Sequence, residues 1–336
     1  MLIKQRRLSN TFSYFVLLAG FGLISPSIAI GQNHAQKSLY MVDQASVNPA
    51  LAGVDEAINL SFIHRSQWVG IDGNPKSQFL SASLPLSNLS GGAGISIIND
   101  LAGAERNTFI SLSYAYRLEM KKSSLTGGIG VGFVQKALDG TKLIAPQGDY
   151  SGDNGFTHND NFIPETKTSG IAPDISLGVF YKHRNLYAGI SATHLTGSSV
   201  KLNTTGASSK IKIYRTMHAT IGYEWQVSKK VGIAPSVYVK SDFVKTQIDF
   251  SGIFSYKGNI WLGASFRGYE RTSMDAVAAI FGFKLTHNFK VNYAYDISIS
   301  NLGPYNSGSH ELGLSYRIKM KDRSQPGKII YNPRFL

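Results

Sequence analysis

The chain has 336 residues, no cysteine, 34 glycines and a formal charge of +13 at pH 7. Without cysteine there is no disulfide, no thiolate metal site and no lipid-modified leader. The basic residues neither cluster in one stretch nor interleave with aromatics in a recognition motif, so basic turns facing anionic headgroups or an acidic partner explain the charge better than nucleic acid does.

The N-terminus comes first. Lys4, Arg6 and Arg7 precede an apolar run over 12–24, followed by Ser25, Pro26 and small residues up to Gly31. These are the three regions of a secretory signal peptide, and the run falls short of the roughly 20 residues a membrane helix needs. Residues 1–31 are expected to be removed after Ala29 or Gly31. Residues 32–56 read as a periplasmic N-terminal segment, 57–320 as a β-barrel, and 321–336 as a periplasmic C-terminal tail.

Within 57–320, segments of about ten residues alternate apolar with small or polar side chains. A period of two sends successive side chains to opposite faces of a sheet. About fourteen strands are expected, at 57–67, 75–85, 92–100, 107–118, 125–137, 172–182, 185–195, 211–224, 231–241, 245–255, 259–269, 276–286, 290–299 and 309–320. The even connections are short and several carry Lys or Arg, as at Lys121, Lys122, Lys182, Arg184 and Lys230. The longest connections, about 138–171 and 196–210, are both odd. Segregation of loop length by parity and an even strand count are features of outer-membrane barrels. Closure also pairs every backbone group and leaves no edge strand in lipid. The fold class is therefore all-β, a multi-pass antiparallel transmembrane barrel with both termini expected in the periplasm.

One face of each strand is then lipid-facing Leu, Ile, Val and Tyr, and the other is a lumen of Ser, Gly and Asn. Val291, Tyr293, Tyr295 and Ile297 belong to the first, and Asn292, Ala294, Asp296 and Ser298 to the second. Charged lumen candidates are Arg117, Lys284, Asp296, Glu311 and Arg317, which either pair across a filled interior or serve transport. Gly127, Gly128, Gly130 and Gly132 read first as a curvature device and second as a place where something approaches the wall. Aromatic residues suit girdles at the two interfaces.

The most specific residues lie between about 39 and 100. Tyr40 and Met41 precede Asn48-Pro49-Ala50-Leu51-Ala52-Gly53. Further on come Arg65, Gln67, Trp68, Gly70, Gly73 and Pro75, then Gly94-Ile95-Ser96 and Asn99-Asp100. Asn48-Pro49 starts a turn, because proline excludes its predecessor from the helical region. Gly53 permits a bend into the first strand. Trp68 is expected where that strand reaches the outer interface, and 72–75 closes the first outside loop. In this order the motifs resemble the PorP/SprF family of type IX secretion system outer-membrane proteins of Bacteroidota. The layout of the whole mature chain agrees, but the specific motifs are confined to that stretch. The twelve motif positions named, from Tyr40 to Pro75, are read as structural or as partner contacts.

The resemblance implies a non-enzymatic component of type IX secretion, with no cofactor. Its partners would be the secretion machinery, outer-membrane lipid, and a large secreted cargo such as an adhesin or a gliding-motility protein. An outer-membrane diffusion channel or a transporter of small hydrophobic molecules is the alternative. His64, His194 and His218 sit in no nucleophile motif, so catalysis has little support. Asp149, Ser151, Asp153, Asn154, Asn159 and Asp160 place oxygen ligands at alternate positions. Gly155 is misplaced for a calcium loop, however, and no Glu closes it, so a solvated loop is expected.

Overall fold

The computed structural model describes residues 35–55, 57–151, 156–203, 208–268 and 274–320. The expected signal peptide and C-terminal tail lie outside these residues. The first half of the wall is β1 (Ala57–Ser66), β2 (Lys76–Leu86), β3 (Gly91–Ala102), β4 (Glu105–Met120), β5 (Ser123–Asp139), β6 (Lys167–His183) and β7 (Leu186–Thr193). A small hairpin, β8 (Ser199–Asn203) and β9 (Ser208–Lys212), follows. The wall resumes with β10 (Thr216–Tyr223) and its short continuation β11 (Trp225–Gln226). It then runs through β12 (Val231–Ser241), β13 (Thr246–Tyr256), β14 (Ile260–Gly268), β15 (Met274–Lys284), β16 (Phe289–Ser298) and β17 (Ser309–Lys319).

Each wall strand pairs antiparallel with its neighbour, β17 closes on β1, and β10 and β11 both lie along β12. With β10 and β11 counted as one strand interrupted at Glu224, the closed barrel has 14 strands. Each expected strand coincides with a wall strand. The main boundary differences are at the long connections, where β6 starts at Lys167 and 211–215 leaves the wall. β5 and β6 pair over 17 residues, about 56 Å at 3.3 Å per residue, so even tilted they project beyond a hydrocarbon core of about 30 Å.

The faces follow the period of two. Outward positions such as Leu60, Phe62, Leu112, Val131, Leu177, Ile190, Leu262 and Ile297 are exposed, whereas inward Ser61, Arg65, Ser81, Asp249, Asn292, Asp296 and Glu311 are buried. That is the inverse of a water-soluble protein, and it is what lipid outside and a polar interior demand. Short turns gather at one end of the barrel and the long 140–166 and 194–215 connections at the other, although the third connection, 103–104, is also tight.

The lumen is filled by the chain itself. Residues 35–55 run through the barrel. The Ala35 carbonyl accepts from Lys240 Nζ at 3.4 Å, beside the β12–β13 connection at the long-connection end. At the other end, the Val54 carbonyl accepts from Arg117 Nη1 at 2.7 Å, near the end of β4 and just before β1 begins. Residues 35–55 are thus inside the barrel, where a segment outside it was expected; the two ends of the chain lie outside the described residues. Ala35 lies at the long-connection end, and Met320 follows the end of β17 at the short-turn end. Near Ala35, Val200, Leu202 and Ile213 are buried in the same apolar cluster as Leu39, Val134 and Ala172, so the β8–β9 region covers the lumen there.

Candidate functional site in the barrel lumen

At the long-connection end the wall brings together two cations and four anions, the outermost being Asp275, 3.7 Å from Arg267 Nη1. Arg65 and Glu311 are register partners on β1 and β17, and Asp249 and Arg267 are register partners on β13 and β14. Asp296 on β16 lies between the two pairs. Arg65 Nη2 meets Asp296 Oδ2 at 2.7 Å and its Nη1 meets Glu311 Oε2 at 3.0 Å. Arg267 Nε meets Asp249 Oδ1 at 2.8 Å and its Nη1 meets Asp296 Oδ2 at 3.0 Å. Arg65, Arg267 and Glu311 are 1%, 2% and 0% exposed. Burying charge is costly unless each ion is paired and hydrogen-bonded. These ions are, chiefly through planar guanidinium forks.

The threaded segment enters this cluster at Ser38 and Leu39. Glu311 accepts the Ser38 N–H at 2.8 Å and the Leu39 N–H at 2.9 Å, one on each carboxylate oxygen. The Ser38 hydroxyl donates to Asp296 at 2.7 Å and accepts from Arg65 at 3.0 Å and Arg267 at 2.7 Å. Lys37 turns inward, bonds Ser46 Oγ at 2.7 Å, pairs with Asp43 at 3.6 Å and lies 4.8 Å from the Phe79 ring centre. Asp43 is tied to the wall by Ser81 Oγ at 2.7 Å. The result is a carboxylate that reads main chain beside a box that reads a hydroxyl.

Further along, Tyr40 stacks on Tyr238 with ring centres 4.9 Å apart, and its hydroxyl meets Ser236 Oγ at 2.8 Å. Met41 is partly buried against the apolar cluster. Asn48 caps a single turn of 3-10 helix, Pro49–Leu51, accepting from the Ala50 N–H at 3.0 Å. That turn is pressed against β5 and β6. A Cβ on Gly128 would overlap the backbone of Pro49 and Ala50, and one on Gly178 would overlap the Asn48 side chain. Gly53, at φ +70°, lies against Gly92, Leu84 and Pro85. Among the strand-five glycines, Gly128 is therefore a close-approach residue, which corrects the curvature reading at that position; Gly127 faces open space. A cavity of about 40 Å³ remains between the segment and the wall, lined by Ser46, Asn48, Asp174, His194 and His218 among others. That is room for a few waters.

The motif positions thus divide. Tyr40, Met41, Asn48, Pro49, Ala50, Gly53, Arg65 and Gln67 belong to the threaded segment and its clamp, with Gln67 accepting from Arg65 Nε at 3.4 Å. Trp68, Gly70, Gly73 and Pro75 form the first long-connection-end loop. Trp68 lies just past β1 at φ 52°, not within the strand. Gly70 and Gly73 take φ +99° and +69°, and the Gln67 N–H closes the loop on the Pro75 carbonyl at 2.9 Å.

Of the charged lumen candidates, Asp296 and Glu311 are in the clamp. Arg117 and Arg317 bond the carbonyls of Val54 and Asp55 at the short-turn end, and Lys284 is half-buried there. Ser38, Asp249 and Arg267 were not singled out from sequence. Arg267 and Asp249 share the inward parity of their strands, and counting register across the tight turn at 257–259 would have paired them. His194 bonds Asp174 at 2.9 Å and His218 bonds the Tyr238 hydroxyl at 2.7 Å, whereas His64 is half-buried on the outward face. In the longest loop, Ser151 donates to Asp149 through its backbone N–H and its hydroxyl, which holds that carboxyl below the usual carboxylate range. Asp153 and Asn154 of the same loop lie outside the described residues. Among the described residues no group of three or more His, Asp or Glu is placed to hold a metal.

An apolar belt, a polar interior, a closed antiparallel wall and a self-filled lumen define an outer-membrane β-barrel. The family model for the type IX secretion system membrane protein PorP/SprF matches residues 29–316, so the chain belongs to that family. A search of curated proteins returns no relative. Among solved structures, the CymD monoaromatic hydrocarbon channel is 13% identical, with 88% of this chain and 95% of that one covered at a TM-score of 0.46. The Ralstonia pickettii toluene transporter TbuX is 10% identical over 88% and 97%, also at 0.46. The Acinetobacter baumannii outer membrane protein Omp33 is 7% identical over 79% and 99%, at 0.43. Likeness at this level transfers no function.

Proposed function

We infer that this chain is a non-enzymatic type IX secretion component that supports the secretion or surface attachment of a large cargo protein, such as an adhesin or a gliding protein. The observation that carries this reading is the family match over 29–316 together with a lumen filled by the chain's own residues 35–55. A filled lumen favours partner surfaces at the two ends over a solute path through the middle. The long connections would meet cargo outside the cell. The short turns, with exposed Lys121, Lys122, Arg184, Lys229, Lys230 and Lys257, would face the periplasm and meet the rest of the machine and anionic headgroups.

Deleting the gene tests the reading. One large surface protein should disappear from the cell surface while uptake of small solutes stays intact. Normal surface delivery with impaired uptake of a small hydrophobic compound would reverse it in favour of a transporter.

A further inference from the structure

The clamp at Ser38 and Leu39 has three properties that belong together. The wall ions satisfy one another without the threaded segment: Arg65 has Asp296 and Glu311, and Arg267 has Asp249 and Asp296. The segment adds only neutral groups to them, namely one hydroxyl and two backbone N–H groups. Emptying the clamp therefore strips no wall charge of its ion partner, and water can replace what leaves. The second property is separate anchorage, since 48–53 is locked by backbone contact against Gly128 and Gly92, and by the Asn48 side chain against Gly178, whatever happens at Ser38. The third is place: the clamp lies close to Ala35, at the long-connection end of the lumen.

We propose that Glu311, Arg65 and Arg267 form a main-chain-reading peptide site, occupied here by the chain's own residues 37–40 and able to take an extended segment of another polypeptide in their place. The chemistry specifies that segment. Glu311 requires two consecutive free N–H groups, which excludes proline at either position. The space between the two guanidinium groups and Asp296 fits a hydroxyl that both donates and accepts, hence Ser or Thr. The next side chain is apolar, as Leu39 is in the buried cluster with Ile63 and Ile280. The one after it is aromatic, stacking on Tyr238 and reaching Ser236. The site thus reads Ser or Thr, then apolar, then aromatic. It deepens the cargo reading and rests on it only for what the second polypeptide is.

The test uses the full-length chain in nanodiscs and a labelled peptide with the sequence of residues 35–43. Ser38→Pro in the protein removes the hydroxyl and one N–H from the resident segment and so vacates the clamp. Saturable binding of the peptide to this variant is expected, at least about tenfold weaker once Glu311→Gln is added and lost when the peptide itself carries proline at its serine. No saturable binding, or binding indifferent to Glu311→Gln, would overturn the site. If Ser38→Pro does not give a barrel with heat-modifiable mobility, the wild-type protein decides. Excess peptide should accelerate amide exchange at residues 37–40 and leave 48–53 unchanged, and unchanged exchange at 37–40 refutes the proposal. Failure here leaves the secretion reading standing, whereas intact cargo delivery in the deletion strain removes that reading and not the site.

Discussion

The two halves of the threaded segment are held by different physics. From Lys37 to Asp43 the grip is side chain to backbone and side chain to side chain, through Glu311, Arg65, Arg267, Ser81 and Ser236. From Asn48 to Gly53 it is chiefly backbone against backbone, made possible where the wall has no Cβ at Gly92 and Gly128, with the Asn48 side chain seated on Gly178. A charged clamp can be weakened one group at a time and leaves a hydratable wall behind. A steric lock fails only when atoms are added. The same chain is thus tied at one end of the lumen by chemistry that can be exchanged and at the other by shape that cannot.

The largest expected effect is on the clamp wall. Arg267→Ala deprives Asp249 of its ion partner and Asp296 of one of two. Breaking a buried pair by removing one member costs about 3–5 kcal/mol, so the urea midpoint of the reconstituted barrel should fall strongly. The steric lock comes next. Gly128→Ala sets a Cβ against the backbone of Pro49 and Ala50, so it should cost about 1–3 kcal/mol as an overpacked contact and open 44–53 to protease, with the clamp amides at 38 and 39 still protected. Loss of protection at both ends together would mean that the halves are not independent. Tyr40→Phe removes the hydroxyl bond to Ser236 but keeps the ring on Tyr238. A loss of about 1 kcal/mol is expected, and a Tyr40→Ala loss no larger than that would deny the stack any part. Smallest is Lys121→Ala in a short turn, exposed and in neither half, which should stay within about 0.5 kcal/mol of wild type.

The wall was legible from sequence because a sheet with lipid on one face writes its period into every strand. Loop parity further separated the two ends, and the alternation of β16 and β17 placed Asp296 and Glu311 inward. Parity gives a side chain's face and no more, so nothing in one dimension said that Arg65, Arg267 and Asp296 meet. Their meeting depends on closure, which brings β1 beside β17 and β16 at the seam. The threaded segment was less legible still. Residues 35–55 carry neither a strand nor a helix period and are rich in polar groups, the usual mark of a solvated linker. Here Ser38, Asp43 and Asn48 are buried because the barrel supplies their partners. The motif residues around Asn48 and Arg65 were visible one by one, but their common purpose inside the barrel was not.

The most direct test of a lumen filled by residues 35–55 uses the absence of cysteine from the chain. A Leu39 methyl carbon lies 3.0 Å from where a Cβ on Gly313 would stand, so Leu39→Cys with Gly313→Cys places two thiols within reach of a disulfide. Mild oxidation of the folded double variant should give a peptide joining positions 39 and 313 in non-reducing mass spectrometry. Two free thiols, both modified by maleimide at the rate of an exposed loop cysteine, would contradict the threaded segment and every argument built on it.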